Sequence, residues 1–415
     1  MSLQSDEEPR SYENTPAMGV QRADGDTRIA FFSESILPWV DGVSRTLGEL
    51  FSALEARGRA FQIYAPVEPS QEYAWSRHVR HVRSVPLPMH RDYRVSMPDK
   101  RRLAAELDEF EPDLIHVCSP TPAPIWAQGY ARSRGIPIVG SFHTLFVAYF
   151  RYYHAGVLEA PGWRFLRWFY NRCDATYAPS MSTIRDIQAH GIGNGRLWSR
   201  GIDPEQFSPA HRDVGLRAEV GADDETPLLL MVSRLVKEKD LDDLVKMDGL
   251  LKRRGLAFRL ALVGKGPYEG VLRKALPDAV FAGQHWGLEL SRWYASADIF
   301  VFPSTTEAFG NVVQEALASE LATVVVDAGG PPGILEEGVS GLVVRPNDPE
   351  ELADKVEALI RDRDLRRRMG LAARRRVMGN TWEKINAALL ADYEDLVRQH
   401  VTAGTRMRVL RGARA

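Results

Sequence analysis

Apolar positions along this chain switch repeatedly between a two-residue and a helical period, and the alternation predicts its architecture. The stretch Arg28 to Ser33 carries the run Ile-Ala-Phe-Phe, a loop containing Pro38 follows, and Val43, Leu47, Leu50, Phe51 and Leu54 then recur at helical spacing. This is a strand, a loop and a helix. Gly58 suits the end of that helix, and Phe61 to Ala65 gives a second short apolar strand before a long segment containing proline and histidine. Strand-like runs return at Leu114 to Cys118, Ile136 to Ser141 and Ala175 to Ala178, with helical material at Arg101 to Phe110 and Ile125 to Arg134. A second series follows the Pro204 to Pro209 loop and the charged segment 210–225. Its strands are predicted at Leu228 to Val232, Arg259 to Val263, Ile299 to Phe302 and Thr323 to Val326, and its helices at Leu241 to Arg254, Leu288 to Ala295, Asn311 to Ala318 and Glu350 to Arg361.

Strand–helix alternation of this kind implies α/β domains built on parallel sheets with helices on both faces. Two are expected, 28–205 and 206–380, with the linker near 202–226. Trp382, Ile385, Leu389, Leu390 and Tyr393 share a helical face, so 381–400 is expected to be a helix packing across the domains. Residues 1–27, acidic and poor in large apolar groups, read as a solvated leader, and 401–415 as a mobile basic tail.

Composition narrows the function. With 415 residues, 44% of them apolar and 26% charged, the chain supports two packed cores, which excludes a small stapled scaffold. The 53 basic and 55 acidic residues leave a net charge of −2, so no global field draws the chain to nucleic acid or to an anionic membrane. Its two cysteines, Cys118 and Cys173, read as buried fillers in a reducing cytoplasm. There is no secretory leader pattern and no uninterrupted apolar run of about 18 residues, so neither secretion nor membrane spanning is supported.

Four segments concentrate the candidate chemistry: Trp198-Ser-Arg-Gly-Ile-Asp203 with Phe207 and Pro209, Ser233-Arg-Leu-Val-Lys-Glu-Lys239, Gly264-Lys-Gly-Pro267, and Glu307-Ala-Phe-Gly-Asn-Val-Val-Gln-Glu315. Over roughly residues 28 to 395 the chain resembles the retaining GT-B glycosyltransferases that use nucleotide-activated sugars, especially bacterial GDP-mannose-dependent α-mannosyltransferases and sulfoquinovosyl transferases. The resemblance implies a GT-B fold of two Rossmann-like domains with an active-site cleft between them. The acceptor side would then lie in the N-terminal domain and the nucleotide sugar in the C-terminal one.

Several residues acquire roles from this resemblance. Gly42, in the loop Pro38-Trp-Val-Asp-Gly-Val-Ser44, becomes a donor contact where a glycine and the next helix's amides can receive phosphate. Arg234 and Lys239 become catalytic cations at the diphosphate, where fixed positive charge favours the departing nucleotide. Glu307 is expected at the donor-sugar hydroxyls and Glu315 at the ribose. His143 is expected on the donor side, without a proton-transfer role. Arg200, Gly264, Phe309, Gly310, Asn311 and Val312 complete the implied donor site. Local physics alone allows other readings. Arg234 and Lys239 also suit a solvated helix start paired with Glu238 or Asp240, Arg200 an ion pair with Asp203, His143 a satisfied structural histidine, and the glutamates helix caps or surface groups. The family commonly has a glycine, and two positions later a proline, where this chain has Glu320 and Ala322. An altered helix ending is therefore expected, because glutamate normally avoids left-handed geometry.

The expected partners are a nucleotide sugar, most readily GDP-mannose, and a lipid or lipid-linked hydroxyl acceptor. Residues 142–170 are dense in aromatic groups, and Arg164-Phe-Leu-Arg-Trp-Phe-Tyr170 mixes rings with cations, which suits either contact with an anionic membrane or a domain-packing helix. The expected location is the cytoplasm, at the inner face of the cell membrane. Scattered histidines without HExxH, CxxC or an acidic cage predict no metal and no cofactor beyond the donor substrate, and no nucleic-acid motif is present. The competing functions are a UDP-sugar-dependent glucosyl or sulfoquinovosyl transferase, a sugar-nucleotide epimerase, and a non-catalytic nucleotide-sugar-binding protein.

Overall fold

The computed structural model describes residues 27–37, 42–87, 90–143 and 156–412. The acidic leader through residue 26, most of the loop before Gly42, and residues 144–155 of the aromatic segment lie outside them. The N-terminal domain is built on a seven-stranded sheet of β1 (Ile29–Phe32), β2 (Phe61–Ala65), β3 (Val79–His81), β6 (Leu114–Val117), β7 (Ile138–Ser141), β8 (Ala175–Ala178) and β9 (Gly195–Leu197), in the order β3-β2-β1-β6-β7-β8-β9. An antiparallel pair, β4 (Ser84–Leu87) and β5 (His90–Ser96), stands apart from it. The C-terminal sheet has six strands, β10 (Leu228–Val232), β11 (Arg259–Val263), β12 (Val280–Gly283), β13 (Ile299–Phe302), β14 (Ala322–Val326) and β15 (Leu342–Val344), in the order β12-β11-β10-β13-β14-β15.

Pairing within both large sheets is parallel. Parallel neighbours need crossover connections, and helices provide them, so β1, β6, β10, β13 and β14 are buried along their whole length. This explains why those strands were readable as continuous apolar runs. The elements the periodicity does not predict include two kinds. Strands such as β9 and β12 are short edges with partly exposed residues. The helix Arg363–Val377 is dominated by arginine but still buries Met369, Ala373 and Val377 at four-residue spacing.

In each sheet the strand order reverses once, between β1 and β6 in the first and between β10 and β13 in the second. Loops leaving the carboxyl ends of those strands diverge there and open a crevice, the usual ligand position in open α/β sheets.

The chain crosses between the domains twice, and the two crossings pair. Ile202 bridges Thr381, and the Ile202 amide donates to Asn380 O at 2.8 Å. A β-carbon on Gly201 would stand 2.4 Å from the Trp382 backbone, so this contact requires glycine. The helix Trp382–Gly412 then returns to the first domain, burying Leu389, Leu390, Tyr393 and Leu396 against a core that includes Leu47, Phe51 and Trp198. Tyr393 OH lies 2.7 Å from His116 Nδ1, and Asp392 accepts from Tyr177 and Arg196 at 2.5 Å each. The expected end of this helix near residue 400 is therefore too early.

The expectation of an altered helix ending at Glu320 is also corrected. Glu320 itself adopts φ 64°, the left-handed conformation that glycine accommodates. Gly370 packs directly on the Glu320 carbonyl, where a β-carbon would approach to 2.1 Å, and Arg374 lies 3.9 Å from its carboxylate. Packing from the Arg363–Val377 helix holds the backbone in place against the intrinsic preference of the residue.

Candidate active site

The loop after β10 carries Arg234 and Lys239, and the loop after β13 carries Glu307, so the switch point of the second sheet brings them together. Lys239 Nζ lies 2.5 Å from Glu307 Oε1, with Lys239 buried and Glu307 about one quarter exposed at 24%. Lys239 thus has a partner 68 positions away, which local spacing does not reveal. Arg234 stands 3.9 Å from Glu238 and is 69% exposed, which leaves its guanidinium available at the mouth of the crevice.

Glycines shape both loops. A β-carbon on Gly264, at φ 140°, would lie 1.8 Å from Ser233 O, and one on Gly266 would lie 2.2 Å from Leu235 O. The Gly264-Lys-Gly-Pro267 turn is therefore laid directly on the backbone of the Arg234 loop, and Leu235 N donates to Lys265 O at 3.0 Å. Gly329 and Gly330 press on the backbone of Glu307 to Phe309 in the same way, with Gly330 N donating to Glu307 O at 2.8 Å.

Gly310, in the left-handed region, opens the helix Asn311–Ala318. Phe309 and Val312 are partly buried and packed against the core of the second domain, so their contribution at this helix start is backbone N–H rather than side chain. Across the cleft, a β-carbon on Gly42 would stand 3.6 Å from Asn311 Nδ2. The N-termini of the helices Gly42–Ala56 and Asn311–Ala318 thus come together, and their orphan amides and dipoles favour an anion between them.

Glu315 occupies a different environment. Only 3% exposed, it accepts from Arg45 Nη1 at 3.0 Å on one oxygen and from the Tyr294 hydroxyl at 2.9 Å on the other. It is neither a helix cap nor a surface group. Glu315 raises the Arg45 pKa above its usual value, and burial, then Glu315, pushes the Tyr294 hydroxyl well up. Arg45, Glu49, Asp203, Asn311, Gln314 and Glu315 are among the residues lining a cavity of about 280 Å³ beside the interdomain crossings.

His143 and Arg200 meet on the N-terminal side. His143 follows the carboxyl end of β7, and Arg200 lies in the crossing segment, with Arg200 Nη2 3.0 Å from His143 Nδ1. Arg200 also donates to Trp198 O at 2.9 Å, and its guanidinium lies over the Trp198 ring. The alternative pairing with Asp203 is absent: that carboxylate accepts instead from the amides of Glu205 and Gln206. Burial draws the Arg200 pKa down to about 9. Gln314 of the second domain donates to Arg200 O at 3.2 Å, and Ser180 and Thr183 of the first donate to Ala308 O at 2.9 and 2.8 Å.

Sequence reasoning missed three participants. A lone arginine in the first turns of a helix opposes the helix dipole, and at Arg45 that was the available signal for a dedicated acidic partner. Tyr294 looked like core. Glu34, buried just past β1, accepts from Ser96 N at 3.0 Å and from the hydroxyls of Ser96 and Thr121, tying together the loops at the ends of β1, β5 and β6. Burial raises its pKa. Both cysteines are buried free thiols. Among the described residues no group of three or more His, Cys, Asp or Glu is arranged to hold a metal ion.

Comparison with known proteins gives this geometry a family. A profile described as Glycosyltransferase Family 4 matches residues 40–206, and one described as Glycosyl transferases group 1 matches residues 215–376. A GDP-mannose-dependent alpha-mannosyltransferase of Mycobacterium tuberculosis is 34% identical over 373 residues, covering 88% of this chain and 96% of that protein. The Sulfoquinovosyl transferase SQD2 of Arabidopsis thaliana is 33% identical, covering 91% of this chain and 75% of that one. Among solved structures, a sucrose-phosphate synthase from Thermosynechococcus elongatus superposes with a TM-score of 0.75 at 20% identity, covering 90% of this chain and 100% of that chain. Anabaena HepE in complex with UDP does so at 0.72 and 19%, covering 89% and 100%. The chain belongs to the GT-B glycosyltransferases, nucleotide-sugar-dependent enzymes, in the group that holds these mannosyl and sulfoquinovosyl transferases.

Proposed function

We propose that this enzyme is a retaining hexosyltransferase that moves mannose from GDP-mannose to a hydroxyl of a lipid or lipid-linked acceptor. The observation that carries the reading is the meeting of Lys239 and Glu307 at the switch point of the second sheet. A nucleotide sugar laid across them finds a cation for its phosphates beside an acceptor for its sugar hydroxyls. As the sugar–phosphate bond breaks, its electron pair stays with the diphosphate. Lys239, Arg234 and the two facing helix N-termini stabilise that growing charge more in the transition state than before it. The acceptor hydroxyl attacks from the face the diphosphate leaves, and its proton passes to the departing phosphate oxygen. No side chain is assigned as a covalent nucleophile.

The likeness to GDP-mannose-dependent relatives over nearly the whole chain supports the donor. The likeness to the plant sulfoquinovosyl transferase supports a second reading, with a UDP-activated glucose or sulfoquinovose donor. A lipid acceptor at the inner face of the membrane is supported by the helix Glu159–Tyr170. It buries Leu166, Phe169 and Tyr170 in the domain and exposes Phe165 and Trp168 beside Arg164 and Arg172, so it serves both packing and an outward aromatic-cationic face. Among the described residues no helix is long and apolar enough to cross a membrane.

Purified enzyme incubated with GDP-mannose, UDP-glucose or UDP-sulfoquinovose and a panel of lipid, glycerol and sugar acceptors tests the proposal. GDP release matched by a mannosylated lipid is expected. Transfer from a UDP-sugar with GDP-mannose inert replaces the first reading by the second, and product confined to water-soluble acceptors removes the lipid.

A further inference from the structure

We propose that Arg200 is a positioning residue for His143, locking the imidazole in its neutral form with the proton on Nε2, so that His143 meets the donor as a fixed hydrogen-bond donor. The argument begins with the 3.0 Å contact between Arg200 Nη2 and His143 Nδ1. A guanidinium has donors and no acceptor, so Nδ1 must be the accepting nitrogen and the single ring proton sits on Nε2. Protonating Nδ1 would set N–H against N–H beside a fixed positive charge.

Arg200 is itself held in place. It is 4% exposed, its Nη1 donates to Trp198 O, and its plane lies over the Trp198 ring, whose edge also meets the His143 ring at 5.6 Å between centroids. Its nearest acidic neighbour in sequence, Asp203, accepts from the Glu205 and Gln206 amides and not from Arg200. The ionisable groups acting on His143 among those residues are Arg200 and, from β6, His116, and both disfavour its charged form, as burial does first of all. His116 is itself kept neutral by burial, at a pKa of about 3.

The consequence is at the opposite nitrogen. His143 Nε2 is buried and has no hydrogen-bond partner among the described residues. A buried donor without a partner is costly, so it asks for an acceptor beyond the described residues. Resting on the proposed function, that acceptor is an oxygen of the donor sugar or its phosphate. An imidazole locked in this way holds one hydrogen bond across the working pH range and transfers no proton.

Histidine-labelled enzyme examined by ¹⁵N–¹H correlation spectra, without substrate, tests the first half directly. The Nε2–H tautomer is expected for His143, with no titration between about pH 6 and 8, where an ordinary histidine titrates. An Nδ1–H tautomer, or a midpoint in that range, overturns the proposal without any variant. Arg200→Leu is expected to lose the tautomer bias and to lower kcat on the order of ten- to a hundred-fold, while burial still keeps His143 from titrating at its ordinary value. Arg200→Gln, whose amide can still donate to Nδ1, should keep the tautomer and recover about ten-fold over the leucine variant. If Arg200→Gln keeps the tautomer but raises the donor KM as far as Arg200→Leu does, Arg200 binds the donor itself and the proposal fails. If wild-type enzyme turns over no donor, the functional reading fails, and the tautomer and titration alone decide whether Arg200 positions His143.

Discussion

Glu307 and Glu315 stand eight residues apart in one motif and live in opposite surroundings. Glu307 sits on a loop at the cleft, partly exposed, against a lysine of its own domain. Glu315 is buried one turn into a helix, with both oxygens engaged, one by an arginine from the other domain. The first arrangement leaves a carboxylate where a sugar can reach it. The second ties the domains together through a carboxylate whose two oxygens are each already engaged at the edge of a cavity. One motif therefore joins a carboxylate open to the cleft to one engaged in domain contact, and the proposed ribose role of Glu315 has to be shared with that contact.

Four measurements break or sharpen this contrast. The largest effect is expected at Glu307→Ala, which should lower kcat/KM on the order of 10²- to 10³-fold in a chain that still folds, with a smaller fall in stability than Glu315→Ala brings. A folded variant with unchanged catalytic efficiency removes Glu307 from the site. Glu315→Ala should reverse the balance: with the Tyr294 hydroxyl and the Arg45 guanidinium deprived of their acceptor, stability falls by about 2 kcal/mol in denaturant titration, after discounting the partly exposed arginine. Equal unfolding midpoints for the two alanine variants would erase the distinction.

The pH dependence probes buried His116 and half-buried His143 beside the cleft. His116 and His143 have folded pKa values below the ordinary value near 6.5, so the unfolded chain binds more protons as pH falls. Their contribution to stability is complete above about pH 6.5 and declines below it, by up to about 1.4 kcal/mol per pH unit for each group, with His116 continuing down towards about pH 3. His116→Gln should flatten that limb in a series of melts, and an unchanged slope contradicts the assignment. The smallest effect is expected at Glu320→Gly. Relief of left-handed strain, partly offset by the greater freedom of glycine in the unfolded chain, should raise stability by about 0.5–1 kcal/mol. A lower melting temperature would mean that the contact with Arg374 outweighs the strain.

The central strands were legible because a parallel sheet buried on both faces demands unbroken apolar runs such as Leu228 to Val232 and Ile299 to Phe302. Edges such as β9 carry no such demand and left no readable signal. At the cleft, residue types and motif order pointed to Lys239, Glu307 and the glycines. Local spacing paired Lys239 with its acidic neighbours, whereas the fold pairs it with Glu307. Arg45 signalled only that an acidic partner was wanted and Tyr294 signalled nothing, because their partner is Glu315, 270 positions from one and 21 from the other.

By itself the sequence determined the alternation of strands and helices, the division into two α/β units, and the set of residue types able to hold a nucleotide sugar. Burial and backbone periodicity act over a few residues, so they are written locally. The tertiary structure alone decided which cation meets which carboxylate, which nitrogen of His143 carries the proton, and that Glu320 adopts a glycine's conformation. Each of those outcomes is set by groups far apart in the chain, whose charges and volumes act on one another only after the sheets and crossings have brought them within a few ångströms.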